Sequence, residues 1–318
     1  MLINPDPIPV NGITGLLSAF SNHPLVALGD VHGVRQGAHF VLNLLQHPDF
    51  SHTVHIIVVE FGNAYYQPVI DQYLAGEFVP EAVLRRVWWR VGGDHTPFRS
   101  PIYAQFFHNI RVLNQTLPTE RSIRVFLGDP PVDTEKEKRD PMAWAIVNSR
   151  DAHFSALVER EVLARGEKAL LIAGGGHFIR ISDSPPSEGN VVQRLEQRYP
   201  GSTFVILPHI IFEETFTLRR DEVRALDARL ASWPIPSLAM LKESWLGSID
   251  AFLHCDNLAQ IIEPDGTMRK VRVPYIGTDG MERTEIKLSE MVDALLYLGP
   301  QSAFTRRTPG DNEYEEQA

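Results

Sequence analysis

Leu25-Val26-Ala27-Leu28-Gly29-Asp30-Val31-His32-Gly33 is the stretch that decides how this chain is read. Four apolar residues make a buried strand. Glycine ends it, and a carboxylate and an imidazole follow two positions apart. A second stretch repeats the pattern, with Ala169-Leu170-Leu171-Ile172-Ala173 running into Gly174-Gly175-Gly176-His177. Between them, His55-Ile56-Ile57-Val58-Val59 ends in Glu60. Near-continuous apolar strands belong to sheets covered on both faces. Three strand ends that each deliver a titratable group imply one shared site, because in open α/β sheets sites form outside the carboxyl ends of the strands.

Helical patterns alternate with these strands. Val34–Gln46 carries Phe40, Val41, Leu44 and Leu45 at helical spacing. Helices are also expected over Tyr65–Leu74, Pro80–Val91, Pro101–Leu117, Pro141–Leu163 and Val191–Arg198, with strands at Ile123–Leu127 and Phe204–Leu207. The alternation predicts an α/β fold, a central mostly parallel sheet flanked by helices, joined by right-handed crossovers. Further on, Asp221–Ser232 reads as a helix, Pro234–Trp245 as a lid or excursion, Ile249–His254 as a strand and Gly266–Glu285 as a hairpin. Leu288–Leu298 reads as a final helix. One domain is expected over residues 1–305, with helical insertions, and a disordered polar tail over 306–318.

Composition narrows the function. A net charge of -10 over 318 residues argues against a nucleic-acid binder, which needs a basic face to neutralise phosphates. A small-molecule substrate or ligand is the expected partner. No run reaches the ~18 apolar residues of a membrane span, and Met1–Pro7 lacks the basic and apolar segments of a signal peptide. The cytoplasm is the default location. The single cysteine, Cys255, excludes an intrachain disulfide and reads as packing within an apolar run.

Asp30 and His32 suit two chemistries. Both side chains bind metals, and a carboxylate that orients an imidazole also makes an acid/base pair. The bland alternative is a turn in which Asp30 caps the next helix. Glu60 is either the first polar group past its strand or a working carboxylate. Near His32 it would raise the imidazole's pKa. The Gly174–Gly176 run lacks the Lys-Ser/Thr of a P-loop. Its glycines let a neighbouring strand or substrate approach, with His177 facing the crevice. Arg150 is either surface charge beside Asp151 or a group that reaches the crevice to fix an oxyanion or carboxylate. Arg180 is open to an anion-binding or a surface role. His153, His108, His209, His254 and Trp88-Trp89-Arg90 read as packing. Gly-Asp-x-His-Gly also opens the metallophosphoesterase signature. That family's Gly-Asn-His string is absent, and Gly128-Asp129-Pro130-Pro131-Val132-Asp133 matches its second motif poorly.

Taken together, these residues resemble the superfamily that joins erythromycin-esterase-like proteins, ChaN-like haem-binding proteins and the Tiki/TraB group. The matching elements are Leu28–Gly33, the strand ending in Glu60, Ile70–Gly76, the helix with Arg150-Asp151, Gly174–His177 and Ser248–His254. The resemblance implies an α/β fold with its site at one end of the sheet. In esterase-like members it implies His32 as general base, Asp30 and Glu60 as its carboxylate partners, and His177 as a second polar contact. In Tiki-like members it implies a divalent metal on His32, His177, Asp30 and Glu60, and in ChaN-like members haem. Gly-Asp-x-His replaces the esterases' Gly-Glu-x-x-His, so the acid is shorter and nearer the imidazole. The expected function is hydrolysis of an ester or amide by a His-activated or metal-bound water, with Arg150 aiding. The alternatives are a haem or small-molecule binding protein and a metallophosphoesterase.

Overall fold

The computed structural model describes residues 4–30, 32–89, 98, 100–133, 149–182, 184–209, 220–249, 258–262, 267–272, 275–283 and 286–305. The strands in chain order are β1 (Val10–Asn11), β2 (Leu25–Asp30), β3 (Ile56–Asn63), β4 (Arg124–Asp129) and β5 (Ala169–Gly174). They continue with β6 (Ile181–Ser182), β7 (Thr203–Pro208), β8 (Ser237–Met240), β9 (Leu258–Ile262) and β10 (Met268–Arg272). The last are β11 (Tyr275–Gly277), β12 (Glu282–Arg283) and β13 (Ala294–Tyr297).

Eight of them form one sheet in the order β1-β8-β13-β7-β2-β5-β3-β4. From β13 to β4 all neighbours are parallel. Antiparallel β8 and β1 close one edge. The fold class is therefore the expected α/β with a mostly parallel sheet. The chain steps outward from β2 to β3 and β4, returns to insert β5 between β2 and β3, then crosses β2 to reach β7. Winding reverses around β2, which is where such sheets open a crevice.

Alternate residues of each central strand feed two cores, as the pleat requires. Val26, Leu28, Ile57, Val59 and Ile172 pack with helices Arg35–Leu45, Gln67–Leu74 and Pro101–Thr116. Ala27, Val58, Leu171 and Ala173 pack on the other face with helices Arg150–Glu161 and Val191–Arg198. Burying a side chain of this size removes roughly 1.5–3 kcal/mol of unfavourable hydration. Both faces are covered, so these strands carry no polar alternation until they end.

Four expectations change. Pro234–Trp245 is no lid, because Ser237–Met240 is β8 of the main sheet. Leu288–Leu298 is not one helix. The helix covers Leu288–Met291, and Ala294–Tyr297 is β13, buried beside β7. An apolar run buried all round has no period to tell strand from helix. Pro80–Val91 divides into Glu81–Leu84 and Arg86–Trp89 within the described residues. The long helix is described from Arg150, with Ser149 in its preceding turn. Within Gly266–Glu285 the expected hairpin is the pair β11-β12, while β10 pairs with β9, which starts upstream at Leu258. Most of the Ile249–His254 strand, Cys255 and the 306–318 tail lie outside the described residues.

Candidate functional site

Strand register sets the site. Asp30 at the end of β2 pairs with Gly174 at the end of β5, and Val59 of β3 pairs with Ile172 of β5. Asp30, Glu60 and Gly174 therefore reach the same edge together. Beyond Val59 the β3-β4 register shifts, so that Asn63 lies opposite Asp129. Glu60 sits in this irregular stretch, a place where strands redirect side chains. Gly33 holds a left-handed φ of 80° and turns the chain after His32 toward the next helix.

Glu60 is the hub. It is 2% exposed. The Gly174 backbone N–H donates to its Oε2 at 2.6 Å. Arg150 Nη1 donates to its Oε1 at 3.3 Å, and His177 Nε2 lies 3.3 Å from the same oxygen. Burial alone would raise its pKa, but the His177 hydrogen bond and charge, the His32 charge and the Gly174 amide bring it down to about 2. Glu60 is a fixed carboxylate at neutral pH.

The two histidines are held differently. His177 sits on the single turn Gly175–His177, and Asn190 pins that turn by donating to the carbonyls of Gly176 and Ile179 at 3.1 and 2.6 Å. Asn190 also caps the helix Val191–Arg198, so one side chain serves both elements. His177 Nδ1 lies 2.6 Å from Asp151 Oδ1. Burial opposes its charge. Hydrogen bonds to Asp151 and Glu60 outweigh burial and raise its pKa to about 10. With a carboxylate on each ring nitrogen, His177 is an imidazolium.

His32 Nδ1 lies 3.0 Å from Asp30 Oδ2, whereas its Nε2 stands 3.6 Å from Glu60 Oε2, beyond hydrogen-bonding distance. The Asp30 contact fixes the proton on Nδ1, so in the neutral ring Nε2 carries the lone pair. Burial lowers the His32 pKa, but the bond to Asp30 and the charges of Asp30 and Glu60 raise it more, for a net rise. Phe98 packs edge-on against the ring at 4.8 Å between centroids.

Arg150 opens the helix Arg150–Glu161 and reaches the crevice. Its Nε bonds Asp129 Oδ1 at 2.5 Å and its Nη1 bonds Glu60, while its Nη2 is buried with no hydrogen-bond partner among the described residues. Asp129, at the end of β4, is 1% exposed. Burial pushes its pKa up to about 7, with Arg150 offsetting part and the neighbouring Glu60 charge adding to the rise.

All five residues singled out from the sequence, Asp30, His32, Glu60, Arg150 and His177, converge here. Two more belong with them. Asp129 had the same signal as Asp30, a Gly-Asp pair closing an apolar strand. Asp151 had only its place beside Arg150 at a helix start. Arg180 lies elsewhere, bonded to Thr203 O at 2.8 Å and Asp293 Oδ2 at 2.6 Å, and ties strands together. His209 is fully buried against Tyr297 and Phe304.

A divalent metal does not suit this arrangement. Both Glu60 oxygens already accept N–H donors, one from the Gly174 backbone and one from the Arg150 guanidinium. Among the described residues no group of three His, Cys, Asp or Glu is arranged to hold an ion. Among them, too, no helix is long and apolar enough to cross a membrane.

No family model matches the chain, and no curated protein matches its sequence. Solved structures do match. A Bacillus cereus protein superposes with a TM-score of 0.53 at 12% identity, over 92% of this chain and 95% of its own. A mutant of the erythromycin esterase EreC in its open conformation gives a TM-score of 0.50 at 12% identity, over 93% and 94%. ChaN of Campylobacter jejuni, solved with cofacial heme binding, gives only 0.35 at 10% identity, over 65% and 92%. The fold is erythromycin-esterase-like, and at these identities the likeness concerns the fold alone.

Proposed function

We propose that this chain, built on the fold of an erythromycin esterase, is a metal-independent hydrolase of an ester or amide bond. The observation that carries the reading is the asymmetry of the two imidazoles. His177 has a carboxylate on each ring nitrogen and is held as a cation, whereas His32 is oriented through Nδ1 by Asp30 and its Nε2 makes no hydrogen bond among the described residues. One ring is a base and the other a fixed positive charge.

In the reaction, His32 Nε2 takes a proton from water as the water oxygen bonds to the carbonyl carbon. The carbonyl oxygen gains negative charge, which the Arg150 guanidinium stabilises through Nη2, a donor with no hydrogen-bond partner among the described residues. Collapse breaks the bond to the leaving oxygen or nitrogen, and His32 returns its proton there. The products are a carboxylic acid and an alcohol or amine. Glu60 holds Arg150 and His177 in place, and Asp129 fixes the guanidinium through Nε.

The test is turnover of an ester, lactone and amide panel with and without a chelator. Activity that persists in chelator and disappears in His32→Ala is expected. Activity that requires added metal, or that survives in His32→Ala, would overturn the mechanism. A haem reading gains nothing from the geometry, since three of the four imidazole nitrogens lie against carboxylates within 3.3 Å.

A further inference from the structure

Beside His32 a cavity of about 400 Å³ opens between the helices Arg35–Leu45 and Pro101–Thr116. Its volume falls in the range of pockets that enclose small organic ligands, roughly 300–1,000 Å³. We infer that this cavity receives a neutral apolar chain or ring of the substrate and sets its specificity, an inference that rests on the hydrolase reading above.

Three observations carry it. The first is continuity. Asp30, which orients His32, is part of the cavity wall, as is Gly33. Phe98 links the two spaces, lying edge-on to His32 and 5.5 Å from the ring of Tyr103, another wall residue. The cavity thus adjoins the site at the residue that holds His32.

The second is chemistry. The deep wall is Leu42, Phe61, Tyr103, Phe106 and Ile172, each under a tenth exposed. The charged and amide side chains at the outer wall, Arg35, His39 and Gln105, are exposed. Apart from Asp30, which is engaged with His32, no charged side chain stands in the buried part among the described residues. A charged substituent would lose its hydration there without compensation, whereas a hydrocarbon group would be stabilised in proportion to the area it buries.

The third is preformation. Phe61 packs at a tilt against Tyr103, 4.7 Å between ring centroids, and edge-on against Phe106 at 5.1 Å. Phe61 follows Glu60 directly, so the strand that supplies the hub of the site also supplies the cavity floor. Packed aromatic walls leave little side-chain freedom to be lost on binding.

The experiment uses two measurements on the full chain. Steady-state kcat/KM is taken along two homologous ester series, lengthened on the acyl or the alcohol side. Calorimetric binding is taken with unreactive methyl ketones from butanone to nonanone. One ester series is expected to gain about fourfold in kcat/KM per methylene until the cavity fills, and ketone affinity to climb in parallel. Ala38→Trp, which projects into the cavity from the first helix, and Gln105→Trp, from the second, are expected to flatten both slopes while retaining a cooperative melt.

Flat ketone affinities, or slopes unchanged in both Trp variants, would overturn the pocket. Ketone affinity that climbs with chain length while no ester is cleaved would overturn the hydrolase reading and leave the pocket standing. Esters cleaved with no chain-length dependence, alongside flat ketone binding, would do the reverse.

Discussion

Glu60 accepts the backbone N–H of Gly174 at 2.6 Å, and this bond joins the ends of β3 and β5 under His32. A Cβ on Gly174 would stand 3.3 Å from His32 Nε2 and 3.4 Å from Glu60 Oε2. The Gly174 backbone, at φ -50° and ψ 138°, is open to any L residue. Close space, rather than conformation, favours glycine there.

Gly174→Ala is therefore expected to fold normally, with stability changed by less than ~1 kcal/mol. The methyl group meets His32 Nε2 more tightly than ordinary contact, so the imidazole gives by a few tenths of an ångström, and kcat is expected to fall by up to about 10-fold. Thermal melts and steady-state kinetics on the most reactive ester check both halves. Wild-type kcat in this variant would mean the close approach has no part in turnover.

As a base, His32 works only when neutral. Its folded pKa lies above the ordinary 6.5, so kcat/KM is expected to rise with pH through a midpoint above 6.5. Asp30→Asn removes the group that raises it, and the midpoint moves down. His32→Ala costs about 10²- to 10⁴-fold. A pH profile whose midpoint ignores Asp30 would separate the base from His32.

Arg150→Lys keeps the charge and loses the fork that spans Asp129 and Glu60. Loss of an aimed donor to the developing oxyanion is worth roughly 10²- to 10³-fold in kcat, with KM little affected. If KM rises instead while kcat holds, Arg150 binds substrate in its ground state.

The pH dependence of stability follows from His177 and Asp129. His177 has its folded pKa raised to about 10, so its contribution is full below 6.5 and is lost as pH rises through about 10. Asp129 is a carboxylate raised to about 7. The folded state holds its proton more tightly than the unfolded chain, so this contribution too fades with rising pH, between 3.8 and about 7. Denaturant midpoints are expected to fall between pH 7 and 10. His177→Gln should flatten that fall, and an equally steep one in the variant would place its origin elsewhere.

Glycine-terminated apolar strands made the sheet legible. β2 and β5 are buried on both faces and change character only at their last residues, whereas β3 does not end at Glu60 as expected but carries it, buried, inside a strand that runs on through Phe61 to Asn63. The same logic missed Asp129, whose Gly-Asp ending was weighed only against a metal motif. It had no purchase on Asp151, because an acidic residue in a first helical turn reads as ordinary dipole compensation. It misread β13, where Ala294–Tyr297 is apolar on every side.

The sequence alone determined which residues stand at the mouth of the sheet, because burial on two faces forces hydrophobic runs and leaves chemistry to their ends. Strand order and side-chain direction were decided only in three dimensions. Inserting β5 between β2 and β3 brings Gly174 and His177 against Glu60, and the irregular end of β3 accompanies its alignment with Asp129 and Arg150. The two Gly-x-x-His strings look alike in the chain. Packing makes one histidine a cation between two carboxylates and leaves the other with one nitrogen unbonded among the described residues, since a pKa depends on neighbours that no local sequence contains.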